Sequence, residues 1–169
     1  MIEPKSQAKT CSAHAEILQQ NEERTVYRLR ETDGEVRITS YPVFPGIELA
    51  YHDVHAPSYR LAEPNAAGLI EIQHCREGRA EYCCGGEHYF LAPGDLSVVG
   101  RAAIEGEGEF PTGHYHGITV TLDPALAPDC LSCILQDVDV RPSVLAEKFF
   151  ADSECFVCSR KYPKGLSQG

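Results

Sequence analysis

The sequence predicts a mainly β domain, an antiparallel sandwich or barrel, followed by a shorter helical region. Between residues 26 and 121, short segments of strand-forming residues alternate with turns that contain Gly and Pro, a spacing typical of such all-β folds. After Asp123-Pro124 the pattern changes to one that favours helix. The chain has 169 residues, which is long enough for one domain with a substantial core.

Turn signals define the individual strands. Asp33-Gly34 and Gly85-Gly86 each predict a tight hairpin turn. A Pro-Gly pair, Pro93-Gly94, separates two later strands, and a segment rich in Gly and Glu, residues 101–110, is predicted as a loop. The predicted strands are 26–30, 35–41, 47–54, 68–75, 79–84, 87–91, 96–99 and 115–122.

The two ends of the chain differ from the β region between them. Residues 1–24 are polar and predict an N-terminal arm. The stretch 12–24 could form a helix, but its apolar face is thin, so we expect either a mobile arm or a marginal helix there. Residues 25–123 form the predicted barrel. Residues 124–160 predict a helical appendage, and 161–169 read as a linker or a truncated end. Within the appendage we expect helices at 125–135 and 142–150 and a short return strand at 154–159.

Charge and hydrophobicity limit the possible partners and the compartment. The net charge is −10, which argues against direct binding of a phosphate backbone by these residues. The N-terminus lacks the apolar core of a signal peptide, and no segment approaches the roughly 18 apolar residues of a membrane span. We therefore expect a cytoplasmic protein without a membrane partner, whose thiols stay reduced.

Cysteine spacing raises the possibility of a zinc site. Cys130 and Cys133 form one Cys-x-x-Cys pair, and Cys155 and Cys158 form another. The first pair falls in a predicted helix, and the second falls in a predicted strand, where positions three apart point to opposite faces. Zinc at these four residues is therefore the weaker hypothesis, and we expect free, partly buried thiols.

One spacing within the strands resembles the first motif of the cupin superfamily. Gly68, His74 and Glu81 match that motif, but Arg76 stands where the family has its second histidine. The segment 89–95, with its Pro-Gly turn, resembles the second cupin motif. The resemblance implies a barrel in which alternate residues of neighbouring strands converge on one cavity.

A longer ordered set of segments narrows this resemblance. Residues 38–49, 71–81, 93–96 and 110–119 together resemble the N-terminal, cupin-like sensing and dimerisation domain of AraC-type transcriptional regulators, which are bacterial-type regulators. The resemblance implies a double-stranded β-helix (jelly-roll) barrel with one or two C-terminal helices. It also implies a small-molecule effector, a homodimer, and DNA contact only through a helix-turn-helix half that these residues do not include.

The resemblance and strand alternation together give a set of candidate ligand-binding residues. Alternation places Glu71 on one face of its strand and His74 on the other, with Ile70 and Ile72, so we expect His74 to point into the core and leave the direction of Glu71 open. The candidate ligand-binding residues are Tyr51, Glu71, His74, Arg79, Glu81, Tyr82, His114 and His116.

A metal-dependent cupin enzyme acting on a small polar substrate is the alternative function. Its ligands would be His74, Glu81 and His116, a donor set that suits Zn, Fe or Mn. The permanent positive charge of Arg76 would repel a cation at that place. We therefore expect no cofactor, no catalytic residue and no enzymatic activity.

Overall fold

The structure is a computed structural model that describes residues 15–30, 32–60, 67–128, 141–150 and 155–158. These residues form twelve strands, one α-helix, α1 (Pro142–Phe150), and a short 3-10 helix (Arg101–Ala103). The strands are β1 (Ala15–Gln20), β2 (Thr25–Leu29), β3 (Glu35–Phe44), β4 (Ile47–His55), β5 (Ser58–Arg60), β6 (Ile70–Gly78), β7 (Ala80–Cys84), β8 (Glu87–Leu91), β9 (Leu96–Gly100), β10 (Ile104–Glu109), β11 (Tyr115–Leu122) and β12 (Cys155–Cys158).

The strands form two antiparallel sheets of a jelly-roll barrel. The larger sheet has eight strands in the order β1-β2-β3-β4-β11-β6-β9-β12, and the smaller sheet has the order β5-β10-β7-β8. Strand β11 lies between β4 and β6, although neither is its neighbour in sequence. The predicted fold class is confirmed: the domain is mainly β and antiparallel, and α1 follows the barrel.

All of the predicted strands are present, with small differences in their bounds. The predictions for β8, β11 and α1 match the observed bounds, and the return strand expected at 154–159 is β12. Pro142 occupies the first helical position, where its missing N–H has no cost. No helix among the described residues is both long and apolar enough to cross a lipid bilayer.

Three segments differ from the prediction. The marginal helix expected over 12–24 is wrong where the structure describes it, because β1 pairs with β2 and extends the large sheet. The loop expected over 101–110 instead holds the 3-10 helix and β10, whose Gly and Glu residues give no hydrophobic pattern. Of the helix expected at 125–135, residues 125–127 form turns and bends, and 129–135 lie outside the described residues.

Apolar residues are buried in two separate places. The main core lies between the sheets and includes Val36 and Val54 from the large sheet and Leu91 from the small sheet. A second cluster lies on the outer face of the large sheet, where Leu145 and Ala146 of α1 pack near side chains of three strands. Those three strands are β6, β9 and β11, and their buried members are Ile70, Val98 and Leu122.

Candidate functional site

The interior of the barrel is polar at its centre, along one face of β6. Glu71, Gln73 and Cys75 alternate along this face and are buried inside the barrel. His74 lies on the opposite, outer face of the large sheet, so the prediction that His74 points into the core is wrong. The physical reason is that Ile70 and Ile72, which share a face with His74, are covered by the second cluster near α1 and not by the interior of the barrel. Both faces of β6 are therefore covered.

A chain of buried hydrogen bonds connects the two sheets across this interior. The hydroxyl of Tyr82 on β7 donates to Ser97 on β9 at 2.9 Å, and Ser97 donates to the carbonyl of Gln73 at 3.2 Å. The amide of Gln73 then donates to Glu71 at 2.9 Å. Each group donates in the same direction, an arrangement in which neighbouring bonds polarise one another.

Arg101 completes this network with a positive charge. Its Nε lies 3.3 Å from Oε1 of Glu71, and both side chains are buried, with exposed fractions of 7% and 9%. Among the described residues, Nε makes no hydrogen bond. The carboxylate of Glu71 thus balances the charge of Arg101, although the contact with Nε is an ion pair without a hydrogen bond.

His52 on β4 is the second interior group with an unused polar atom. Its Nδ1 lies 2.9 Å from the hydroxyl of Tyr59, and its Nε2 is shielded from solvent with no partner among the described residues. Burial and the nearby charge of Arg101 lower the pKa of His52 to about 4. His52 is therefore neutral at pH 7, and burial raises the pKa of Tyr59 well above its ordinary value.

The space inside the barrel is small. A cavity of about 20 Å³ lies between the sheets and is lined in part by His52, Gln73 and Tyr82. That volume holds about one water molecule, whereas small-molecule pockets commonly have several hundred Å³. A larger ligand can enter only if interior side chains or strands move.

A shallow groove lies on the small sheet and contains three of the predicted residues. Arg79, Glu81 and Tyr82 line this groove, which has a volume of about 230 Å³. The guanidinium of Arg79 lies 2.6 Å from Glu81 and 4.3 Å from the centre of the Phe90 ring. Arg79 is thus already paired, and its side chain is about two-fifths exposed, so this groove is open to solvent.

His114 and His116 lie together, but on the outer face of the large sheet. They form a cluster with His55, in which one ligand atom of each ring lies within 4.8 Å of the others. Asp53 and Glu77 flank these rings. We call these five residues the rim cluster, because they lie where β4, β6 and β11 reach one end of the barrel.

The structure therefore divides the eight predicted residues among four places. Glu71 and Tyr82 face the interior. Tyr82 and Glu81 line both the interior cavity and the groove, which Arg79 also lines. Tyr51 and His74 lie on the outer face of the large sheet, where Tyr51 contacts Tyr41 edge to face. The set His74, Glu81 and His116 is not brought together, because Glu81 lies on the other sheet.

Sequence reasoning missed the interior residues His52, Gln73, Ser97 and Arg101. A signal for His52 was present, since Ala50 and Val54, two positions away on either side, are apolar and buried. The opposite face of β4 carries Ile47, Leu49 and Tyr51, and this apolar pattern favours that face as the buried one. Nothing in the local sequence indicates that Arg101, in a segment predicted as a loop, folds back onto Glu71.

The described cysteines fit the expectation of free thiols. Cys75, Cys83 and Cys84 form no disulfide. Burial, with a contribution from Asp95, raises the pKa of Cys75 to about 11, so that this thiol stays protonated. Cys130 and Cys133 lie outside the described residues, and of Cys155 and Cys158 only the strand backbone is described, so the zinc hypothesis for these four stays a prediction.

Comparison with known proteins shows similarity to cupin folds. No protein family profile and no curated protein sequence matches the chain. A cupin 2 conserved barrel domain protein from Salinispora arenicola is 22% identical, with a TM-score of 0.44 over 56% of this chain and 82% of that one. KdgF from a Halomonas species is 14% identical, with a TM-score of 0.44 over 57% and 84%.

A regulator is also among the similar structures. The AraC-like transcriptional activator CuxR is 11% identical, with a TM-score of 0.43 over 55% of this chain and 34% of that protein. At these identities the similarity concerns the fold alone.

Proposed function

We propose that this chain is the effector-sensing and dimerisation domain of an AraC-type transcriptional regulator. The proposed partners are a small-molecule effector, a second copy of the chain, and DNA contacted through a separate helix-turn-helix half. The proposed role is that of a sensor, without catalysis or a cofactor. The buried polar network of Glu71, Gln73, Ser97, Tyr82 and Arg101 is the observation that carries it.

Filling the interior of a barrel with polar and charged side chains has a cost in desolvation free energy. Buried polar groups need partners, and each unused donor or acceptor costs about 1–3 kcal/mol. The interior has two atoms without a hydrogen bond among the described residues: Nε2 of His52, and Nε of Arg101, which has only the ion-pair contact with Glu71. Replacing a buried ion pair by well-packed apolar residues is often neutral or stabilising in proteins, so the polar interior favours a role in ligand recognition.

The unused atoms indicate the chemistry of the effector. Arg101 offers a guanidinium donor, and neutral His52 offers one ring nitrogen as a donor or an acceptor. A small molecule with hydroxyl or carboxylate groups satisfies both atoms. Sugars and organic acids are the effector classes that this interior fits.

The small volume of the interior cavity implies that effector binding moves parts of the barrel. Because the cavity holds about one water, an effector binds only with displacement of the network that joins β6, β7 and β9. The outer face of β6 packs near α1 through Ile70 and Ile72. Movement of β6 therefore changes the contact with α1, and the effector shifts a conformational equilibrium that the rest of the regulator can read.

A thermal-shift screen with sugars, organic acids and aromatic metabolites tests the sensing role. An effector present at 100 times its Kd stabilises the fold by about 2.7 kcal/mol, and we expect a rise in Tm of several degrees. Sedimentation velocity with and without each active compound then measures the dimer population. Compounds that raise Tm without altering dimerisation would contradict the regulatory proposal, as would a domain that stays monomeric at all concentrations.

A further inference from the structure

The rim cluster on the outer face of the large sheet has the composition of a metal site. One ligand atom each from His55, His114 and His116 lies within 4.8 Å of the others. The ring centres of His114 and His116 are 4.6 Å apart, and those of His55 and His114 are 5.2 Å apart. Three convergent imidazoles are a common ligand set for zinc and related metals.

The backbone fixes two of these rings on one strand. His114 precedes β11 and His116 lies within it, while His55 ends the neighbouring strand β4. Gly78 on β6 has a φ of +77°, and a side chain there would collide with the carbonyl of His114. Glycine at position 78 thus permits the close approach that brings β11 and its histidines to this edge.

Two carboxylates orient the rings and add negative charge. Oδ1 of Asp53 lies 2.9 Å from Nε2 of His116 and 3.0 Å from Nε2 of His55. Oε2 of Glu77 lies 3.2 Å from Nε2 of His114 and 3.4 Å from Nδ1 of His116. Carboxylates in contact with ligand histidines are the usual arrangement around bound metals. Two negative charges beside three imidazoles also attract a dication.

We propose that the rim cluster binds one divalent transition-metal ion, of the zinc, cobalt or nickel class. One nitrogen each of His55, His114 and His116 is a ligand, and water fills the remaining position. Asp53 holds Nε2 of His116 and Nε2 of His55, and Glu77 holds Nε2 of His114. The ligand atom of His116 is then Nδ1, so its 3.4 Å contact with Glu77 must open when the metal binds. Tetrahedral zinc needs ligand nitrogens about 3.4 Å apart, and these atoms lie within 4.8 Å of one another, so the rings must close by up to about 1.4 Å. The side chains of His114 and His116 are 38% exposed, which leaves room for this rotation.

This site is independent of the effector proposal. It lies on the outer face of the large sheet, whereas the network of Glu71 and Gln73 lies inside. It also differs from the set His74, Glu81 and His116, of which it shares only His116. A bound ion would join the end of β4 to the start of β11 and stabilise this edge of the barrel.

Cobalt(II) titration followed by visible absorption tests the proposal. We expect one equivalent to bind with the d–d bands of nitrogen and oxygen ligation and without the charge-transfer band of thiolate. His114→Ala and, separately, His116→Ala should weaken binding at least about tenfold. His88→Ala, which removes an exposed histidine outside the cluster, is the matched control and should leave binding unchanged.

Two further variants keep the test decisive. His114→Gln retains size and polarity, and circular dichroism verifies that each variant is folded. Cys130→Ser distinguishes the site from the cysteine hypothesis and should leave cobalt binding unchanged. Absence of cobalt and zinc binding at millimolar concentration, binding that survives both histidine variants, or a thiolate band lost in Cys130→Ser would each overturn the proposal.

Discussion

The two faces of β6 differ in how they are buried. On the inner face, Glu71 and Gln73 contact Arg101 and Ser97 through ionic and hydrogen-bonding interactions. On the outer face, apolar side chains pack near α1. The strand has the polar and apolar residues of an amphipathic strand, but its polar side faces the interior. Alternation therefore identifies which residues share a face but not which face is the core.

The two faces of β6 therefore have different roles. The apolar outer face stabilises the domain, whereas the polar inner face is suited to ligand binding. Burial of apolar surface between α1 and the outer face of the large sheet stabilises the folded state, by about 25 cal/mol per Å². The buried ion pair inside contributes little net stability, because desolvation offsets its attraction. We therefore expect changes at either face to destabilise the domain, but for different physical reasons.

The largest effect should follow the loss of one partner of the interior ion pair. Arg101→Met leaves Glu71 buried without its counter-charge, and breaking a buried pair costs about 3–5 kcal/mol. Urea unfolding monitored by circular dichroism measures this loss. The double variant Glu71→Gln with Arg101→Met removes both charges and should recover a large part of it. A double variant no more stable than Arg101→Met would contradict the pairing.

His52 should make stability depend on pH. Its folded pKa of about 4 lies below the ordinary value of 6.5, so the unfolded chain takes up the proton first. Stability is thus fully present above pH 6.5 and is lost as pH falls towards 4, by up to about 3 kcal/mol. Urea unfolding at pH 7, 6 and 5 should show a smaller loss for His52→Gln than for the native chain. Equal losses would contradict the burial of His52.

The outer face should show a smaller effect that depends on contact with the sheet. Leu145→Ala removes part of the cluster near α1, and we expect a cost of about 1–2 kcal/mol because this leucine is only partly buried. Val144→Ala is the matched control, since Val144 is 48% exposed, and should cost less than about 0.5 kcal/mol. Chemical denaturation of both variants measures the difference, and equal costs would mean that α1 does not pack on the sheet.

The smallest effect should come from one hydroxyl of the interior network. Tyr82→Phe removes the bond to Ser97 and should cost about 1 kcal/mol. Tyr51→Phe removes the hydroxyl of an exposed tyrosine on the outer face and should cost almost nothing. The comparison is made by thermal unfolding, and the proposed network would lose its support if Tyr51→Phe were the more harmful change.

The fold could be predicted from the sequence much better than the site. Turn residues such as Asp33-Gly34 and Gly85-Gly86 act locally, so the strand bounds between them followed directly. Which face of β6 is covered by α1, and hence which way the side chains of Glu71 and His74 point, depends on a helix some 70 residues later in the chain. The residues of β6 alone cannot show this. The rim cluster likewise joins β4 to β11, and only the pairing of these strands brings His55 to His114 and His116.

The most direct test of an effector site in the polar interior uses Gln73 and His74, neighbours on β6 whose side chains point to opposite faces of the sheet. A compound that raises Tm is titrated calorimetrically into Gln73→Leu and His74→Leu, both first verified as folded. If the effector enters the polar interior, Gln73→Leu should weaken binding at least about tenfold, or 1.4 kcal/mol, while His74→Leu binds like the native chain. Unchanged binding by Gln73→Leu, with loss of binding in His74→Leu, would contradict effector binding in the interior.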